Sequence, residues 1–134
     1  MKFHNKERGI KAENFFASRM NKLGLNYSYE DDWYDFLVNK HKVEIKSCRL
    51  TVKQRNGEKE SYRPGRFDFT KVSNRNLQYK ENIWICFILN YEGFFLLLGF
   101  CKARQLKKKR YVQLHHLRKL KLLSLEKWVK EVNC

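Results

Sequence analysis

Asp35, Glu44 and Lys46 are the residues of this chain whose types and spacing can do chemistry. Two carboxylates held close together repel each other unless a divalent cation lies between them. Mg²⁺ prefers one or two carboxylates, completed by waters and phosphate oxygens. A lysine beside such a cation can orient or deprotonate a water, or stabilise charge developing on a phosphate. Together these groups suit metal-assisted hydrolysis of a phosphodiester.

Such a site needs a rigid support, and the flanking sequence supplies one. Tyr34–Val38 and Val43–Lys46 are rich in aromatic and β-branched residues and are separated by the polar segment Asn39-Lys40-His41-Lys42. This pattern predicts a hairpin. Strand side chains alternate, so Glu44 and Lys46 share one face while Val43 and Ile45 share the other. Antiparallel pairing then brings Asp35 across from the segment Glu44–Lys46. Asp31 and Asp32 are rival carboxylates, but they read as loop residues, whereas Asp35 starts an apolar strand. An exposed hairpin with solvated charges would give the same letters. Against that reading, Glu44 and Lys46 interrupt an otherwise apolar run.

A helix is predicted over residues 5 to 23, with Asn5 as its N-cap and Gly24 as its stop. Ile10, Ala12, Phe16, Met20 and Leu23 recur at helical spacing. Glu13 lies at the edge of this stripe, where it can reach over the sheet or simply pair with Arg8 or Lys11. A short strand, Leu25 to Tyr29, follows. Trp33 and Tyr34 are expected at the core edge or flanking a groove.

Asn56-Gly57 between Val52 and Tyr62 predicts a second hairpin within a polar, basic stretch. Its Lys53, Arg55, Arg63 and neighbouring Arg66 are candidate phosphate contacts, and Tyr62 can stack or touch a sugar. The same composition permits a flexible, solvated loop. Thr70 to Lys80 reads as a short helix carrying Val72, Leu77 and Gln78. Ile83–Leu89 and Phe94–Phe100 are continuous apolar runs around the turn Asn90–Gly93. Strands apolar on both faces lie inside a sheet covered on each side. The expected fold is therefore α/β, with a central mixed β-sheet flanked by helices. A dense basic run, including Lys107, Lys108 and Arg110, forms either a second phosphate-contacting surface or the solvated face of a short helix. His115 and His116, read as neighbours on a strand, point opposite ways and make a poor joint metal site. Ser124 caps a last helix with the apolar stripe Leu125, Trp128, Val129 and Val132.

With 134 residues the chain is read as one domain, residues 1–134. Its 29 Lys and Arg against 14 Asp and Glu give a net charge of +15, which points to a polyanionic partner. Nucleic acid fits better than a membrane, because no long amphipathic surface helix is evident and no apolar run is long enough to span a bilayer. The polar N-terminus has no signal-peptide pattern and points to the cytoplasm. Cys48, Cys86, Cys101 and Cys134 show no zinc-ligand spacing. Cys86 and Cys101 read as reduced core residues, and Cys134 as a free terminal thiol.

Asp35 with Glu44-Ile45-Lys46, preceded by Gly9-Ile10-Lys11-Ala12-Glu13, resembles the PD-(D/E)XK nuclease superfamily, and most of all archaeal-type Holliday-junction resolvases. The resemblance runs from the N-terminus to about residue 90, with Tyr34 in place of the proline of the family's name. It implies a restriction-endonuclease-like sheet and a Mg²⁺-dependent endodeoxyribonuclease, with Mn²⁺ as a substitute. Asp35, Glu44 and the Ile45 carbonyl would hold the metal, Glu13 would support it directly or through water, and Lys46 would act on the attacking water or the phosphate. Gln78 matches, as a single residue, the polar group such nucleases often carry on the following helix. The resemblance also implies a homodimer acting on duplex or branched DNA in recombination or repair. A non-catalytic nucleic-acid binder and a restriction-type or RNA-directed nuclease on the same fold are the alternatives.

Overall fold

The computed structural model describes residues 2–133, with side chains from residue 9 onward. Three helices, α1 (Lys2–Lys22), α2 (Val72–Glu81) and α3 (Leu125–Val132), are joined by nine strands. These are β1 (Tyr27–Tyr29), β2 (Phe36–Val38), β3 (His41–Arg49), β4 (Thr51–Asn56), β5 (Lys59–Pro64), β6 (Arg66–Asp68), β7 (Trp84–Tyr91), β8 (Phe94–Lys102) and β9 (Tyr111–Gln113). Short 3-10 helices span Ala103–Leu106 and Leu114–Leu120.

The main sheet has the order β1-β2-β3-β7-β8. β3 and β7 run parallel, and every other pair is antiparallel, so the sheet is mixed. The apolar run over residues 83 to 89 becomes β7, buried along most of its length because it is paired on both edges and covered on both faces. Alternation along β7 divides the core in two. Cys86 and Ile88 join Phe36, Val38, Val43 and Ile45 beneath Ala12, Phe16 and Met20 of α1 and Trp128 and Val132 of α3. Trp128 lies flat on Phe100, with ring centroids 3.9 Å apart. Ile85 and Phe87 face the other way, against Phe67, Phe69, Leu106, Val112 and Leu117. Each of these large side chains contributes about 1.5–3 kcal/mol by leaving water. The second face is covered by the small β6-β9 sheet, both 3-10 helices and α2. The expected α/β architecture, a mixed central sheet flanked by helices, is thus present.

Several local expectations are corrected. α1 begins at Lys2, so Asn5 lies within the helix and does not cap it. Ile10 and Leu23 are each 46% exposed, because the buried stripe of α1 is the narrower set Ala12, Phe16 and Met20. The first strand shrinks to Tyr27–Tyr29, with Leu25 buried ahead of it. On α2, Val72 and Leu77 are exposed, and Gln78 is the buried residue. His115 and His116 sit in a 3-10 helix, so their rings lie side by side, 4.1 Å apart, instead of on opposite strand faces. The second hairpin expected around Asn56-Gly57 is present as β4-β5. Ser124 caps α3 as expected, accepting from the Lys127 N–H at 3.2 Å. Cys86 and Cys101 are buried free thiols, and Cys134 lies outside the described residues. No helix among the described residues is long and apolar enough to cross a membrane.

Candidate active site

The β2-β3 turn sets the register of the site. Asn39 and Lys40 both adopt left-handed backbone angles (φ 46° and 71°), as a two-residue hairpin turn with matching twist requires. Phe36 then pairs with Val43. One step outward the register slips, and Asp35 also faces Val43. The Asp35 N–H donates to the Val43 carbonyl at 3.0 Å. Asp35 thus lies just ahead of β2, which begins at Phe36, and not within the strand as expected. The Asp35 carboxylate accepts from the Ile45 N–H at 2.7 Å. A strand residue's N–H and C=O point to the same edge, so the Ile45 carbonyl also faces the Asp35 side.

Glu44 points to the second face and is 8% exposed, one of two buried polar residues among the described residues. Lys46, two positions on, shares that face and brings its Nζ to 3.4 Å from Glu44 Oε2. The same ammonium lies 4.9 Å from the centre of the Phe69 ring, which walls it from below. The other buried polar residue is Gln78. Its Nε2 donates to the Trp33 carbonyl at 2.9 Å, and its amide lies beside the Glu44 carboxylate and favours the charged form. This explains why α2 buries a glutamine: the side chain ties the loop before Asp35 to Glu44.

Glu13 reaches the site from α1. It lies beside Asp35 and Tyr29, and Asp31 lies close enough to repel it. Burial is the main reason its carboxyl is raised to about 7, with the Asp35 charge next. Glu44 is raised to about 8, again first by burial, then by Asp35, against the opposing pull of Lys46 and Gln78. Asp35 is the common neighbour, and its charge adds to the rise at both Glu13 and Glu44. Glu13 and Glu44 thus retain protons near neutrality. Among the described residues no group of three or more His, Cys, Asp or Glu side chains stands placed to hold a metal ion by itself.

A cavity of about 600 Å³ opens beside Lys46, lined also by Ile45, Arg49, Arg63, Arg66 and Thr70. Gly65 fixes its wall. A Cβ at Gly65 would run into the Arg49 carbonyl, and its own N–H donates to the Leu50 carbonyl at 3.0 Å. The base of the β4-β5 hairpin is thereby held against the end of β3.

The basic residues singled out by sequence divide into groups. Arg63 and Arg66 line the groove with Lys46, and Arg66 also pairs with Asp68 at 3.1 Å and covers the Tyr111 ring. Lys53 and Arg55 do not join them; both sit on Glu60, at 3.1 and 3.0 Å. Lys107 and Lys108 follow the first 3-10 helix in left-handed conformation, with Lys108 over the Tyr79 ring. Exposed Arg110 accepts the Phe69 N–H through its carbonyl at 2.7 Å, which sets this basic run across Phe69 from Lys46.

No protein-family model, curated protein or solved structure matches this chain.

Two contributors escape a reading of the sequence. Tyr29 is visible only through its contact with Glu13. Arg49 looks like the frayed end of a strand. Asp31, one of the rival carboxylates, accepts from the Tyr29 hydroxyl at 3.2 Å.

Proposed function

We propose that this chain is a metal-dependent DNA endonuclease of the PD-(D/E)XK kind, cutting phosphodiesters in duplex or branched DNA. The observation that carries the reading is the Asp35 carboxylate held on β3 by the Ile45 N–H, with Lys46 at 3.4 Å from the neighbouring Glu44 carboxylate. The order helix-glutamate, aspartate at the start of a strand run, Glu-Ile-Lys follows the motif order of that superfamily. The basic groove beside Lys46 and the +15 charge suit a polyanionic substrate.

The donor set fits Mg²⁺ or Mn²⁺. These ions are commonly held by one or two carboxylates with waters and substrate oxygens, so a closed protein cage is not required. Asp35 and Glu44, with the Ile45 carbonyl on the same edge, supply such a partial set, and Glu13 supports it. The raised carboxyls point the same way: carboxyls that are buried, and beside another negative group, take up protons when no cation compensates them. When bound, a divalent cation supplies Lewis acidity and makes water a stronger acid.

The chain's own groups divide the remaining work. Asp35 is fixed by the Ile45 N–H, so its carboxylate keeps one orientation through the reaction. Glu13, beside Asp35, can accept a proton from a nearby water near neutral pH. Lys46 stabilises negative charge as the phosphorus takes up a fifth oxygen, or orients the attacking water. Attack in line with the 3′ oxygen leaves a 5′ phosphate and a free 3′ hydroxyl. Arg63 and Arg66 hold backbone phosphates along the groove. A homodimer, with one site for each strand, is part of the proposal.

A non-catalytic DNA binder is the competing reading, and the absence among the described residues of a ready three-ligand metal group favours it. Divalent-metal titration separates the two. Cleavage of labelled duplex or four-way-junction DNA that requires Mg²⁺ or Mn²⁺ and disappears in Asp35→Asn supports the enzyme. Binding without cleavage supports the alternative.

A further inference from the structure

The β4-β5 hairpin is a two-stranded ribbon exposed along nearly its whole length. Its tip is a two-residue turn, Gly57-Glu58, with Gly57 at φ 66°. Its base is locked by Gly65 against Arg49. The register divides the ribbon into two faces of different chemistry. Lys53, Arg55, Glu60 and Tyr62 share one face, where Glu60 engages both cations. Val52 and Arg63 are cross-strand partners on the other face, and both line the groove beside Lys46. The next pairs outward on that face are Gln54 with Ser61 and Asn56 with Lys59.

We propose that the groove-side face of this ribbon enters the DNA major groove and reads base edges through Gln54 and Asn56. The inference rests on the reading of the adjoining groove as a DNA site. The outer part of this face carries two exposed amides, whose side chains make no hydrogen bond among the described residues. Asn and Gln amides match the donor and acceptor pair that adenine presents in the major groove. Same-face residues in a strand repeat every ~6.8 Å, which is about two base steps of a duplex at ~3.4 Å each. A pair of strands ~4.8 Å apart fits with its side chains into a groove ~12 Å wide. An RNA duplex offers no such entry, because its major groove is deep and narrow. Arg63 at the root and Lys59 at the tip flank the amides and would bind phosphates on either side.

The test is selection of bound molecules from a duplex library with a randomised centre, in EDTA so that nothing is cut. Wild-type protein is compared with the Gln54→Ala/Asn56→Ala double variant. Wild type should enrich A·T pairs at positions about two base steps apart, by about tenfold per position. The double variant should lose the enrichment while keeping the salt dependence of binding, because its phosphate contacts remain. Both positions are exposed, and coincident thermal melts verify that the variant is folded. No enrichment by wild type, or the same enrichment by the variant, overturns the proposal. No binding to any duplex overturns it together with the DNA reading of the groove. Enrichment by a protein that never cuts DNA with Mg²⁺ or Mn²⁺ keeps the ribbon's role and removes only the nuclease reading.

Discussion

The hairpins β2-β3 and β4-β5 are built alike and used differently. Each pairs antiparallel strands around a two-residue turn, and each carries charged residues at alternate positions. β2-β3 is part of the main sheet, and α1 and α2 cover its charged end. Glu44 is buried there, Asp35 is tied to the Ile45 N–H, and the carboxyls of Glu13 and Glu44 are pushed toward 7 and 8. β4-β5 stands free of the sheet, and its ion pairs around Glu60 lie in water. Burial converts charges into reactive, proton-holding groups, whereas exposure leaves them screened and weakly coupled. The first hairpin is suited to chemistry, the second to contact.

The comparison breaks most sharply at Glu44. Glu44→Ala should lower metal-dependent cleavage on the order of 10³-fold, measured by single-turnover kinetics, with DNA binding retained. Lys46→Ala should cost on the order of 10²-fold in the same assay, because the cation site survives while a charge-stabilising group is lost.

The next effect is on stability. Glu13 and Glu44 have folded-state values of about 7 and about 8, above the ordinary 4.5. Below pH 4.5 both are protonated in either state, and their contribution is fully present. As pH rises toward 8, the unfolded chain releases those protons first, so the metal-free protein loses stability. The melting temperature without divalent ions should therefore fall between about pH 5 and pH 8.5. Mg²⁺ should restore it most at the alkaline end, and Glu44→Gln should flatten the upper part of the fall. A melting profile that rises across this range in wild type would contradict the buried-carboxylate account.

Smaller effects come from the basic residues. Arg63→Ala and Arg66→Ala should each weaken binding to every duplex and reduce the slope of log affinity against log salt by about one. Arg55→Ala, on the ribbon face occupied by Glu60, should change binding by less than about twofold, as exposed paired charges do. An Arg55 effect as large as that of Arg63 would erase the distinction between the two faces.

The sequence carries much of this arrangement because strands have a strict period. Alternation places Glu44 and Lys46 together, and the tight turn puts Asp35 across from them. The apolar runs that become β7 and β8 announce the centre of the sheet. Contacts made across long stretches of chain are not legible in this way. Gln78 reads as one polar residue on a weak helix until Trp33 and Glu44 are seen beside it. Lys53 and Arg55 look equivalent to Arg63 until the ribbon's register turns them to opposite faces. The exposure of Ile10 and Leu23 was hidden for a related reason: helical periodicity marks an apolar arc, but the partner surface decides how much of it is covered.

The central claim is that Asp35, Glu44 and Lys46 form a metal-dependent phosphodiesterase site. The most direct test is a cleavage assay with Mg²⁺ or Mn²⁺ on a labelled four-way junction, a matching linear duplex and a single strand, with Glu44→Ala run beside wild type. The account predicts cuts that require the metal, leave 5′ phosphates and vanish in Glu44→Ala; symmetric nicks in the junction alone would mark a resolvase. Tight, salt-sensitive binding by wild type with no cleavage of any DNA form would contradict it.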